Sequence, residues 1–331
     1  MERITRVLVT GGTGFLGRKL AERLQAGGYD VTALGRNERI GQELAASGML
    51  FKRVDLGDAD AIRDACKNQD IVFHAGALSS PWGKPEEFHR SNVLGTRHVI
   101  AGCQAHEVRR LIHVSSPSVL FEFRDCLDLP ESTPYPTVPA NAYAATKQQA
   151  EKDIDQAFAG GLPVIMFRPR ALFGPGDTVI FPRLIRASRR AFPMFGNPLI
   201  DLTYVENAVD ALMLGMTAPS AVLGRKYHVT NGTPIPLRDL LTTVFGRLGQ
   251  PYRTRSLPPA LGLALAGLSE GVTRLTGSDR EPVLTRYSVG TLAYSQTLDI
   301  SAIRRDLGYQ PRIGIEEGID RFARWWKETH G

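Results

Sequence analysis

A chain of 331 residues, 22% charged and 43% hydrophobic, can form one large globular domain or a large and a small one. Its net charge of +6 comes from 40 basic against 34 acidic residues. These are spread along the chain without a basic stripe and interleaved aromatics, which argues against a nucleic-acid partner and leaves a mild affinity for anionic ligands or surfaces.

The first predicted strand, Ile4 to Thr10, holds the apolar run Val7-Leu8-Val9. It begins so early that no signal peptide is expected before it. Thr10-Gly11-Gly12-Thr13-Gly14-Phe15-Leu16-Gly17 follows, and an amphipathic helix is predicted over Phe15 to Gln25. In that spacing Gly11 allows the tight turn, Gly14 lets the backbone approach a pyrophosphate, and Gly17 lets the helix pack on the sheet. The helix start offers free N–H groups and a positive dipole end to phosphates. The second strand, Asp30 to Leu34, runs out into Gly35-Arg36-Asn37 with no acid at its tip to hold a ribose 2′-hydroxyl. A guanidinium there suits a 2′-phosphate, and Asn37 and Arg39 can add donors. NADP(H) is therefore the expected cofactor, with NAD(H) as the alternative.

Further β-rich runs are predicted at 50–54, 70–75, 109–115 and 163–168, with helical periodicity over Asp58 to Lys67 and Glu86 to His106. This alternation predicts an α/β fold, a doubly wound parallel sheet of the Rossmann kind. Ligands then sit at the carboxyl ends of strands, where Asp55-Leu56, His74-Ala75-Gly76-Ala77, Ser115-Ser116 and Arg168-Pro169 fall. After residue 175 proline and glycine punctuate the pattern. We expect a dinucleotide-binding domain over 1–175, with strand 226–230 returning to its sheet, and an interwoven substrate region over 176–331 ending in a helix from Ile315 to Trp326. Cys66, Cys103 and Cys126 have no metal-ligand spacing and read as reduced thiols. No His/Cys/carboxylate cluster calls for a metal. No apolar run reaches the roughly 18–20 residues that cross a bilayer, so a cytoplasmic protein is expected.

Tyr143 and Lys147, at i and i+4, share a helix face. An ammonium there lowers the tyrosine pKa and lets it act as acid or base near neutrality. The same lysine can bond the nicotinamide ribose, and a hydroxyl from Ser115-Ser116 can hold the substrate oxygen beside Tyr143.

These segments resemble the extended short-chain dehydrogenases/reductases over nearly the whole chain. The resemblance rests on the Gly11/Gly14/Gly17 loop, Asp55-Leu56, His74-Ala75-Gly76-Ala77, Asn92-Val93-Leu94-Gly95-Thr96, Val114-Ser115-Ser116 and Tyr143…Lys147. It continues through Arg168-Pro169…Gly174-Pro175-Gly176, Asp201 to Ala208 and Leu307-Gly308-Tyr309. It implies that Tyr143 is the proton donor or acceptor and Lys147 its partner, with Ser116 positioning the reacting oxygen and Ser115 the fallback. It further implies that Asn92 supports the active-site helix or a proton relay. Asp55 and Leu56 would touch adenine, and Ala75 to Ala77 with Pro169 would line the nicotinamide half. Tyr204 and Asn207 would fix loops, and the assembly would be a homodimer.

Within the family the chain looks most like the 3β-hydroxysteroid dehydrogenase-like branch, which includes β-keto acid reductases. Ser115-Ser116-Pro117-Ser118-Val119, Arg168-Pro169-Arg170 and Leu284-Thr285-Arg286-Tyr287 carry that likeness. Pro117 and Ser118 stand where sugar-nucleotide dehydratases would have an acidic pair. The resemblance implies a reductase or dehydrogenase acting on a hydrophobic ketone or secondary alcohol. The alternatives are a sugar-nucleotide epimerase and a non-catalytic NADP sensor. The apolar run 258–268 reads first as a buried helix, otherwise as a lid or an interfacial helix touching a membrane surface. Arg183, Arg186, Arg189 and Arg190 read as a solvated basic face, part of which, or else Arg170, can hold a substrate anion. The loop from Leu78 to Phe88, with Trp82, is expected to border the pocket.

Overall fold

The computed structural model describes residues 5–188, 191–276 and 280–330; Arg189 and Arg190 of the basic face lie outside them. Seven parallel strands make the central sheet: β1 (Arg6–Thr10), β2 (Asp30–Gly35), β3 (Leu50–Arg53), β4 (Ile71–His74), β5 (Arg110–Val114), β6 (Val164–Pro169) and β7 (Lys226–Val229). Their order is β7-β6-β5-β4-β1-β2-β3. Strand order reverses between β1 and β4, and the crevice beyond their carboxyl ends is where such sheets take ligands.

The apolar strands are covered on both faces, as parallel sheets require. Val7 and Val9 face a cluster with α1 (Phe15–Ala26) and α6 (Val205–Thr217), while Leu8 between them faces a cluster with α3 (Ala59–Cys66), α4 (Gly95–Ala105) and α5 (Ala142–Ala159). Helix α2 (Glu38–Ala46) joins β2 to β3. The expected helix over Glu86 to His106 forms with a widened middle: an α-helical turn, Pro85–Phe88, continues through a π-helical stretch, His89–Leu94, into α4. The widened turn carries Asn92, and such insertions occur often at functional sites.

A second core gathers Phe173, Phe181, Phe192, Leu202 and Tyr204 with α7 (Leu237–Leu248) and α10 (Ile315–His330). Beside it stand α8 (Pro259–Leu275) and α9 (Arg286–Ala293), joined through Phe195, Ala266 and Val289. The buried-helix reading of 258–268 is overturned, because only Gly262 and Ala266 of α8 are buried. Leu263 is partly buried against Phe195 and Val289, and Leu261, Leu265 and Leu268 are exposed. Among the described residues no helix is long and apolar enough to cross a membrane.

Candidate active site

The glycine loop is built to bring backbone close to a ligand. Gly11 has φ +70°, and a Cβ on it would lie 2.6 Å from the Cα of Gly76. A Cβ on Gly17 would overlap the Gly11 carbonyl. The loop therefore sits directly on the Ala75–Ala77 segment leaving β4, and Thr13 lies against Gly35 at the end of β2. Helix α1 opens at Gly14 with no side-chain cap and no acid in its first turn. The N–H groups of Phe15, Leu16 and Gly17 are left to an anion, which fits the diphosphate of a dinucleotide. The Leu16 side chain is buried in the core, so only its backbone can face such a ligand. Phe15 lies near Gly176 across the loop.

The adenosine side is more crowded with charge than the sequence indicates. Arg36 is largely exposed and stands 3.8 Å from Asp55, whose other carboxylate oxygen takes Arg90 at 3.3 Å and the Gly57 N–H at 2.8 Å. Arg39 pairs instead with Glu43 along α2 at 2.6 Å, and the Asn37 side-chain Oδ1 caps that helix by accepting from the Ile40 N–H at 3.2 Å. Arg36 and the unforeseen Arg90 thus remain as the cations beside Asp55. Leu56 touches the Gly76 and Gly95 positions, so it lies at the same strand ends.

Ser116, Tyr143 and Lys147 come together at the end of β5 and the start of α5. Ser115 is buried and donates to Glu151 at 2.5 Å, so its hydroxyl is turned inward. Ser116 is only half-buried, accepts the Ser118 N–H at 3.2 Å and lies close enough to Tyr143 to draw its pKa down. Ser116 is therefore the hydroxyl that faces the tyrosine. Burial pushes Tyr143 up to about 12, against the pull of the Ser116 hydrogen bond. The expected lowering by Lys147 is not seen. Its Nζ turns to the Val114 carbonyl at 2.8 Å and the His113 ring at 3.4 Å, and burial pushes it down to about 8, with Glu151 opposing.

Asn92 holds the scaffold around these groups. Its Oδ1 accepts the Leu78 N–H at 2.7 Å, and its Nδ2 donates to the Leu78 carbonyl and to Thr146, each at 3.1 Å. It ties the loop after β4 to α5. Pro169 ends β6 opposite Val229 and is buried.

Behind the site lies a buried ionic cluster that the sequence reading missed. Glu151, one helical turn beyond Lys147, receives Arg168 Nε at 2.9 Å and Nη2 at 2.5 Å, and the Tyr135 hydroxyl at 2.6 Å. Lys226 stands 3.6 Å from it, and His228 is 3.3 Å from Arg168. Arg168 and Ser115 hold Glu151 down to about 2 despite its burial. The only sequence signal was a carboxylate four residues after Lys147 on the sheet-facing side of the helix.

His74 and His228 are both pushed down to about 3, chiefly by burial. In the unfolded chain they take up protons near pH 6.5, so between that pH and about 3 the unfolded state binds more protons and stability falls as the pH is lowered. Each group contributes roughly 1.4 kcal/mol per pH unit in that window. Glu151 adds a stabilising contribution that is present above about 4.5 and lost as pH falls towards 2. Urea midpoints measured from pH 7 to 4.5 should decline steadily, and a flat profile would contradict these protonation states.

On the substrate side, Tyr287 of α9 packs edge-on against Phe121, ring centroids 5.4 Å apart, and lies near enough to Tyr143 to push it up. Arg170 is buried, bonds Gln296, and leaves its Nε without a partner. Gln296 in turn donates to the Pro117 carbonyl, next to Ser116, at 3.3 Å. Arg183 is engaged by Glu281 at 2.8 Å, while Trp82 lies under Arg274 of α8 at 5.4 Å. Asn207 bonds Asn231 and the 312–313 backbone, and Tyr204 packs on Phe173, so both fix loops. A separate cleft of about 570 Å³, lined by Asp128, Asp201 and Arg304, shares no residue with the Tyr143 site.

A seven-stranded parallel sheet with this cradle, with serine beyond a strand end and tyrosine and lysine on the helix beside it, defines an extended short-chain dehydrogenase/reductase. Residues 7–230 match the NAD dependent epimerase/dehydratase family, and the chain belongs to it. It is 34% identical over 324 residues to the 2-alkyl-3-oxoalkanoate reductase of Stenotrophomonas maltophilia, covering 96% of this chain and 98% of that protein. A ketoreductase of Stigmatella aurantiaca named for a farnesylated dihydroquinoline oxide is 35% identical over 319 residues, covering 95% of each. The structure of UDP-glucuronic acid 4-epimerase from Bacillus cereus in complex with NAD superposes with a TM-score of 0.79 over 98% of this chain and 99% of that one. At 19% identity that likeness concerns the fold alone. The protein is an NAD(P)-dependent oxidoreductase of the extended type.

Proposed function

We propose that this enzyme reduces the ketone of a hydrophobic 3-oxo acid to a secondary alcohol with NADPH, as a homodimer joined through helices that flank the sheet. The observation that carries the reading is the pairing of two features in one place. The Ser116 hydroxyl lies close enough to Tyr143 to draw its pKa down. Arg170, tied through Gln296 to the backbone beside Ser116, is a buried guanidinium with no ion pair among the described residues. Asp201 acts on it through space without a direct ion pair; a buried cation left so is costly, and a substrate carboxylate would supply the missing partner. The names of the oxoalkanoate reductase and ketoreductase relatives support the same chemistry.

The nicotinamide, when bound, supplies the hydride. Ser116 holds the carbonyl oxygen, and Tyr143 donates its proton to that oxygen as negative charge develops there. Lys147, protonated below about 8, returns a positive charge to the site and is placed to bond the ribose. Asn92 keeps α5 in register with the loop after β4.

Two substitutions test the recognition half. Arg170→Met should raise KM for a 3-oxo acid by roughly 10- to 100-fold, the loss of one charge-assisted contact. Its methyl ester should be reduced as before; equal effects on acid and ester would remove Arg170 from the carboxylate site. Arg36→Ala should raise KM for NADPH by roughly 10- to 100-fold while leaving that for NADH nearly unchanged. A parallel loss with both cofactors would contradict the NADP preference.

A further inference from the structure

Helix α8 carries an apolar stripe that the fold leaves bare. Leu261, Leu265, Leu268, Val272 and Leu275 follow at spacings of four and three, which puts them on one helix face. They are 46, 44, 69, 60 and 90% exposed. The opposite side holds the helix to the protein: Ala266 is buried with Phe195 and Val289, and Gly262 presses on the Phe195 ring. Such a contiguous patch marks an interaction surface rather than scattered surface residues.

The charge around the stripe is basic. Arg253 and Arg255 are exposed on the strand Thr254–Ser256 and beside it, leading into α8, and Arg274 stands in the last turn of the helix. Arg286 lies along the middle, its Cδ 4.0 Å from the Cβ position of Gly267. Among the described residues none of the four forms an ion pair with a carboxylate. Glu270, the one acid of α8, is turned to the backbone N–H of Arg286 at 2.7 Å, and Glu281 is held by Arg183.

We infer that α8 docks this protein on an anionic lipid bilayer, its leucine stripe among the acyl chains and the arginines at the level of the headgroup phosphates. The helix has 17 residues and lies along the surface of the protein, which suits an interfacial helix and not a spanning one. Basic side chains beside such a helix add attraction to anionic lipid. A second copy of the chain fits the stripe less well. A helix seam needs complementary charges on its flanks, and here two copies would bring arginines together.

Docking places the bilayer beside the reaction site. Helix α8 rests on α9, whose Tyr287 borders Tyr143, and the loop bearing Trp82 meets α8 at Arg274. A lipid-like ketone then reaches Tyr143 from the membrane without crossing water. That consequence rests on the reductase reading; the docking does not.

The test is flotation of the full chain with phosphatidylcholine vesicles, with and without phosphatidylglycerol. Binding to the anionic vesicles is expected, weakening as salt rises. The double variant Leu268→Glu, Leu275→Glu should bind roughly tenfold less or worse, with unchanged mass in solution and unchanged thermal midpoint. Arg253→Ser with Arg255→Ser should lose the preference for anionic lipid. No binding to anionic vesicles, equal binding by the leucine variant, or a drop in its mass that reveals a second copy on the stripe would each overturn the proposal. Reduction of a short, water-soluble 3-oxo acid is assayed separately, so failure of the catalytic reading leaves the vesicle result standing.

Discussion

Tyr143→Phe is expected to lower kcat for ketone reduction by about 100- to 10,000-fold, the usual contribution of a positioned general acid. NADPH affinity should change little, because the proposed role of the phenol is at the reacting oxygen, whereas the diphosphate would be held at the Gly11 loop. The hydroxyl is the only group that the change removes. Its partner Ser116 stays fixed by the Ser118 N–H, so the ring should keep its place against Phe88, 6.5 Å away between centroids. A loss smaller than about tenfold would move the proton to another donor and overturn the assignment.

The largest effect on stability is expected at Glu151. The carboxylate is fully buried, and four groups converge on it: Arg168, Ser115, Tyr135 and Lys226. Glu151→Ala strands the Arg168 guanidinium in the interior, and losing one member of a buried pair costs about 3–5 kcal/mol. Urea unfolding should show this as a lower midpoint with an unchanged slope. The double variant Glu151→Leu, Arg168→Met should recover much of the loss, since neither charge is left alone. A single variant destabilised by less than about 1 kcal/mol would mean that water replaces the carboxylate. Ser115 loses its partner in both variants, so a shift of α5 against β5 would be read in activity as well as in stability.

The strands and the glycine loop were legible because their signals are local. Val7-Leu8-Val9 is apolar throughout since both faces are covered, and Gly11 and Gly17 stand where any side chain would strike backbone. Tyr143 and Lys147 were legible from their spacing, but the direction of the lysine was not. Whether Nζ reaches the phenol or the Val114 carbonyl depends on a strand 33 residues away. Arg168 was seen as a motif and Glu151 not at all, because their pairing depends on how α5 lies on β6. Arg90 was hidden for a similar reason: the π-helical turn that carries it toward Asp55 leaves no mark in the periodicity. The run 258–268 was misread as buried because apolarity alone does not say whether a covering element exists. Its continuation at the same spacing to Val272 and Leu275 was visible, and a helix packed on one side only would have been the better reading.

Net reduction of a carbonyl is the reaction proposed for this site. The direct measurement is NADPH absorbance at 340 nm with a long-chain 2-alkyl-3-oxo acid, the alcohol product being quantified alongside. Stoichiometric loss of NADPH with formation of the 3-hydroxy acid, abolished in Tyr143→Phe, is the predicted result. Tight cofactor binding with no absorbance change, together with interconversion of UDP-sugars at constant cofactor, would contradict it.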